Sequence, residues 1–108
     1  MSAPAPEEIT PAEAAALPDE WQWLDVRTAQ ERAEGYIRAD SLHIELTELP
    51  ARAGELDRAR PVVVYCRSGS RSAMAVAALR EGGFAAANLA GGIVAWQAAD
   101  LPVVADGD

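Results

Sequence analysis

Apolar residues fall along this chain in two modes: short unbroken runs, and longer stretches with helical spacing. The clearest run is Val62-Val63-Val64-Tyr65, which starts at Pro61 and gives way to polar residues just after Cys66. A β-branched and aromatic run without alternation predicts a strand covered on both faces, as in a parallel sheet. Proline fits the first position of such a strand. Residues 73–81 are strong helix formers. Ser70 or Ser72 is expected to cap that helix, and Gly82-Gly83 to end it. Upstream, residues 8–10 predict a short strand. Thr10, Pro11 and Glu13 supply a cap, a first-turn proline and a first-turn acid for a helix over 12–17, which stops before Pro18. Residues 21–25 predict a strand with Trp21, Trp23 and Leu24 in the core. Thr28 is a cap for a short helix through Glu34, ended by Gly35. Residues 41–44 read as a strand, and 48–56 as a helix disturbed by Pro50 and Gly54. Residues 84–89 form a fifth strand, 90–92 a turn and 93–99 a last helix carrying Trp96. Val103-Val104 closes the fold. Strands alternating with helices define an α/β domain with a mainly parallel sheet and helices on both faces.

Composition narrows the picture. The 108 residues are half apolar and suit one domain with a real core. We expect residues 1–7 to be a Pro- and Ala-rich lead, 8–104 the domain and 105–108 a tail. The formal charge of −8 disfavours nucleic acid and anionic membranes as partners. No stretch is long enough to span a membrane, and the N-terminus lacks the pattern of a signal peptide. A cytoplasmic, monomeric protein is the default expectation. All positive side chains are arginine, so Arg67 and Arg71 stand out near the single cysteine. One cysteine cannot form an internal disulfide.

The candidate chemistry sits where the central strand ends. Cys66 is followed by Arg67, Ser68, Gly69, Ser70, Arg71 and Ser72, and then by the helix. Backbone N–H groups at such a strand–loop–helix junction have no helical partners and can turn inward on an anion. The helix N-terminus adds roughly 0.3–1 kcal/mol for a negative group. These surroundings, with two arginines, would lower a thiol's pKa and favour the nucleophilic thiolate. A buried structural cysteine is the plain alternative. The polar, cationic run after Cys66 and the helix start argue against it.

This segment resembles the active-site strand, loop and helix of the rhodanese (thiosulfate sulfurtransferase) domain. Leu24-Asp25-Val26-Arg27 is similar to the family's early strand end. Gly35-Tyr36-Ile37 is similar to its Gly-His-Ile turn, and Gly91-Gly92 with Ala95-Trp96 to a later family segment. Leu101-Pro102-Val103 is similar to its ending. The resemblance covers about residues 8 to 104. It implies a five-stranded sheet with the cysteine loop at the strand ends, and a sulfur atom carried on Cys66 as a persulfide. The donor would be a small anion such as thiosulfate. The acceptor would be cyanide, a thiol or a protein, and neither metal nor organic cofactor would be needed. Tyr36 replaces the family's histidine, and the segment 35–43 is about one residue longer than usual, with Arg38 and Asp40 where small residues are common.

Two further groups have a place near the site. Asp25 and Arg27 end a strand at the edge where parallel sheets gather ligands. They would steady the cysteine loop from outside, or simply form a local ion pair. His43, the only histidine, could serve as a base, but a histidine in a strand is ordinary. Two rival functions remain open on sequence grounds. One is a persulfide carrier or protein-interaction module. The other is a cysteine-dependent phosphatase or arsenate reductase, whose resemblance pattern has five residues between cysteine and arginine. Here four residues separate Cys66 from Arg71, which makes a smaller cradle.

Overall fold

The computed structural model describes residues 7–105; of the expected lead over 1–7 and tail over 105–108, residues 1–6 and 106–108 lie outside the described residues. Five strands form one wholly parallel sheet: β1 (Glu8–Ile9), β2 (Gln22–Asp25), β3 (Leu42–His43), β4 (Val62–Tyr65) and β5 (Ala86–Leu89), in the order β1-β5-β4-β2-β3. The central strand is β4, whose four residues are completely buried. Its side chains alternate between two cores, as a pleated strand requires. Val62 and Val64, with Cys66 just beyond them, join one apolar cluster, and Val63 and Tyr65 join the other. Burying a side chain of this size contributes roughly 1.5–3 kcal/mol.

Helices cover both faces, as expected. On the Cys66 face lie α3 (Leu49–Arg52) and α4 (Ser70–Glu81), through Leu49, Ala75, Val76 and Leu79. On the other lie α1 (Pro11–Ala15) and α5 (Gly92–Ala98), through Ala14, Ile93 and Trp96. The short α2 (Ala29–Ala33) buries no residue. Both α1 and α2 start with a reciprocal capping box, Thr10 with Glu13 and Thr28 with Glu31, so the expected threonine caps are present. No helix among the described residues is long and apolar enough to cross a membrane.

Two expectations need correction. The helix read over 48–56 is broken into 3₁₀ turns at Leu46–Glu48 and Ala53–Glu55 around α3. Pro50 is tolerated only in the first turn of α3, and Gly54 weakens its continuation. Neither Ser70 nor Ser72 caps α4. The helix begins three residues earlier than expected, after Gly69, which turns left-handed at φ 106° with no side-chain cap. The cysteine sulfur lies where a capping oxygen would otherwise be.

Candidate active site

The strand β4 delivers Cys66 to the carboxyl edge of the sheet, and the loop 66–69 folds back over it. Gly69 N–H donates to Cys66 Sγ at 3.0 Å. The Ser72 hydroxyl, in the first turn of α4, lies 3.3 Å from the same sulfur. Burial pushes the Cys66 thiol up. Hydrogen bonds from the Ser72 hydroxyl and from the N–H groups of Ser72, Gly69 and Ser68 more than offset this and bring it below a thiol's ordinary value. Ser68 and Ser70 are exposed, and their hydroxyls make no hydrogen bond to another described residue. Only Ser72 among the three serines brings its side chain to the sulfur.

A second backbone segment closes the loop from behind. Ile93 N–H donates to the Cys66 carbonyl at 2.9 Å, and Val94 N–H to the Arg67 carbonyl at 3.1 Å. Gly92 makes this approach possible. A Cβ there would overlap both of those carbonyl oxygens, and its φ of 62° also favours glycine. The Gly91-Gly92 turn therefore fixes the shape of the cysteine loop.

The two loop arginines differ. Arg71 makes a bidentate pair with Glu31 of α2, at 2.6 and 2.8 Å. That pair holds the Glu31 carboxyl well below its usual range, at about 2. Arg71 is therefore not the free cation that its place in the loop suggests. Arg67 is exposed and forms no ion pair among the described residues. It lines an open cleft of about 440 Å³ together with Arg27, Glu31, Val94 and Val103. Cys66 has no exposed area, so a reagent reaches its sulfur only when the covering groups move.

Asp25 and Arg27 form a buried ion pair. Arg27 donates to the Asp25 carboxylate through its backbone N–H at 2.9 Å, Nε at 3.0 Å and Nη2 at 2.8 Å. Arg32 adds a longer contact of 3.3 Å to Asp25. Arg27 also donates to the Gly35 carbonyl at 2.6 Å and the Glu31 carbonyl at 3.3 Å. The pair thus braces α2, and α2 holds Arg71 through Glu31. Its link to the cysteine loop runs through that helix. His43 Nε2 donates to the Arg27 carbonyl at 2.7 Å, an ordinary structural contact.

The altered segment 35–43 is anchored from the far side of the sheet. Tyr65 Oη accepts from Ile37 N–H at 3.3 Å and lies 3.1 Å from Ser41 Oγ. Burial, then the Asp25 charge, push this phenol up to about 12, so it stays neutral. Arg38 and Asp40 pair with each other at the surface. Of this segment, Gly35 contributes to the cleft wall.

One residue in the site has no counterpart in the sequence reading. Asn88, in β5 and paired in register with Val64, is buried. Its Nδ2 donates to the Gly69 carbonyl at 3.1 Å, and its Oδ1 accepts from Ser72 Oγ at 2.5 Å. The signal that marks it is a polar side chain inside an otherwise apolar strand, Ala86-Ala87-Asn88-Leu89.

A parallel α/β sheet that ends in a lone thiol ringed by N–H donors defines a class of proteins built around a sulfur-holding loop. A model of the Rhodanese-like domain matches residues 10–99, and the chain belongs to that family. A protein of Allochromatium vinosum named "Sulfurtransferase" is 45% identical over 83 residues, covering 76% of this chain and 77% of its own. A "Thiosulfate sulfurtransferase GlpE" of Coxiella burnetii is 35% identical over 75 residues, covering 68% of this chain and 69% of its own. The crystal structure of a rhodanese-related protein from Thermoplasma volcanium superposes with a TM-score of 0.86 at 33% identity, covering 91% of this chain and 97% of that one.

Proposed function

We propose that this protein is a sulfurtransferase that carries sulfane sulfur on Cys66. The observation that supports this most is the donor set on the sulfur: neutral N–H groups and one hydroxyl, with no fixed counter-ion bonded to it. Such donors favour an anionic sulfur without locking it into a salt bridge. The names of the relatives point the same way, and one of them names thiosulfate.

In the first step the Cys66 thiolate attacks the outer sulfur of a donor such as thiosulfate. A new S–S bond forms, the donor's S–S bond breaks, and sulfite leaves with the electron pair. The terminal sulfur of the resulting persulfide would be held by the N–H groups of the loop. In the second step a thiophilic acceptor attacks that terminal sulfur, and the electron pair of the broken bond returns to Cys66. Cyanide serves as the assay acceptor, and a thiol or protein acceptor would react in the same way. Arg67, the loop cation with no ion pair among the described residues, would attract the anionic donor. Arg71 and Glu31 would keep the loop in place, and Asp25 with Arg27 would brace α2 beneath them. The Arg71–Glu31 pair also weakens the phosphatase and arsenate reductase reading, because those reactions need the loop arginine on the oxyanion.

The test is thiocyanate production from thiosulfate and cyanide. Wild-type protein should turn over, and Cys66→Ser should fall to background. Equal activity in the two proteins would remove Cys66 from the mechanism. Persulfide that forms but passes to no small acceptor would favour the carrier reading.

A further inference from the structure

We propose that Asn88 is a positioning residue for the cysteine sulfur, holding in place both of the groups that donate to it; this rests on the reading of Cys66 as the sulfur carrier. Four polar contacts close a ring. Gly69 N–H donates to Cys66 Sγ at 3.0 Å, and Asn88 Nδ2 donates to the Gly69 carbonyl at 3.1 Å. Ser72 Oγ lies 2.5 Å from Asn88 Oδ1 and 3.3 Å from Cys66 Sγ. Asn88 and Ser72 are both buried, so an amide without these partners would be costly there.

The amide settles where the Ser72 hydroxyl goes. A serine inside a helix commonly turns its hydroxyl to the carbonyl three or four residues back. For Ser72, the carbonyl three residues back belongs to Gly69. Asn88 occupies that carbonyl with Nδ2 and offers Oδ1 in its place, which keeps Oγ beside the sulfur. Ser72 has one proton and two acceptors. With a neutral thiol, S–H donates to Oγ and the hydroxyl donates to Asn88. With an anionic sulfur, the hydroxyl rotates and donates to the sulfur; Oγ and Asn88 Oδ1 then have no proton between them, so that contact lengthens while Nδ2 keeps its hold on the Gly69 carbonyl. Asn88 thus keeps the serine beside the neutral thiol, and keeps the Gly69 peptide, whose N–H donates to the sulfur, in place for the anion. Without Asn88 the hydroxyl turns to Gly69, the Gly69 peptide loosens, and the anionic sulfur loses support.

The experiment is the pH profile of Cys66 alkylation by iodoacetamide, read by intact mass on the full chain. Cys66 is the only cysteine, so all of the signal reports on it. Asn88→Ala and Ser72→Ala should each raise the midpoint by about one pH unit. Because Asn88 acts partly through Ser72 and partly through Gly69, the double variant should rise by less than the sum of the two single shifts. Asn88→Thr, a better strand former too short to bridge the two groups, should give the same shift if the alanine variant does not fold. An unchanged midpoint in a folded Asn88 variant overturns the proposal, as do shifts that add fully in the double variant. The readout does not depend on sulfur transfer. A wild type that forms no persulfide would refute the proposed function and leave this result standing.

Discussion

Two neighbouring strands end at the same edge of the sheet, and each places a potential anion there. Strand β2 ends in Asp25, and β4 leads to Cys66, with Asp25 and Tyr65 in register. Each is followed by a turn and a helix. Asp25 is completely buried and held by guanidinium groups of Arg27 and Arg32. Cys66 is equally buried, but its sulfur is held by a peptide N–H and a hydroxyl. The first anion is matched by full opposite charges on an adjacent side chain and a nearby helix. It is a fixture that braces α2. The second is stabilised by partial charges that remain in place whatever its charge state. The same burial therefore gives a structural group in one case and a reactive one in the other, and the type of partner makes the difference.

The sharpest way to break this contrast is to exchange the reactive atom. Cys66→Ser should lower sulfur transfer at least a thousand-fold, to background in a thiocyanate assay, and leave the melting temperature nearly unchanged. Asp25→Ala should do the reverse. It leaves Arg27 buried without its partner, and loss of one member of a buried pair costs about 3–5 kcal/mol. Denaturant unfolding should read that loss. Protein that remains folded should still form the persulfide. Gly92→Ala tests the backbone that joins the two halves of the site. The added Cβ meets the Cys66 and Arg67 carbonyls, so we expect about 1–3 kcal/mol of destabilisation together with slowed persulfide formation. Unaltered kinetics in that variant would mean that the Gly91-Gly92 turn does not shape the loop.

Two smaller effects sharpen the account of the arginines. Arg71 and the Thr28 cap depress the Glu31 pKa in the folded protein from 4.5 to about 2. The unfolded chain therefore binds this proton more readily, and stability falls as it does so. The contribution is fully present above pH about 4.5 and is lost as pH falls through about 2. Partial exposure keeps it modest. Glu31→Gln should flatten that part of the acid unfolding curve. Arg67→Ala should be the mildest change, with a several-fold rise in KM for thiosulfate, unchanged kcat and a weaker dependence on salt. A change in kcat instead would place Arg67 at the reacting atoms.

Much of this was legible in the sequence because it is local. The apolar run of β4, the polarity change at Cys66 and the threonine caps each lie within a few residues of chain. The sheet follows from their alternation. What escaped depends on distant pairing. Arg71 reads as a free loop cation until α2 brings Glu31 to it from forty residues away. Ser72 reads as a helix cap, because nothing nearby shows that the left-handed turn at Gly69 gives the sulfur that place. Asn88 lies in a strand on the other side of α4 in sequence. Its role appears only when β5 pairs with β4, although a lone amide among buried alanines and leucine was already a visible oddity. The expected ends of the helix over 48–56 failed for a simpler reason: Pro50 and Gly54 weaken a short helix from within.

The central claim, that Cys66 carries the transferred sulfur, is tested most directly by intact mass before and after thiosulfate, with Cys66→Ser alongside. The account predicts a gain of one sulfur atom in the wild type alone, removed when cyanide is added. No gain in the wild type, or the same gain in Cys66→Ser, would contradict it.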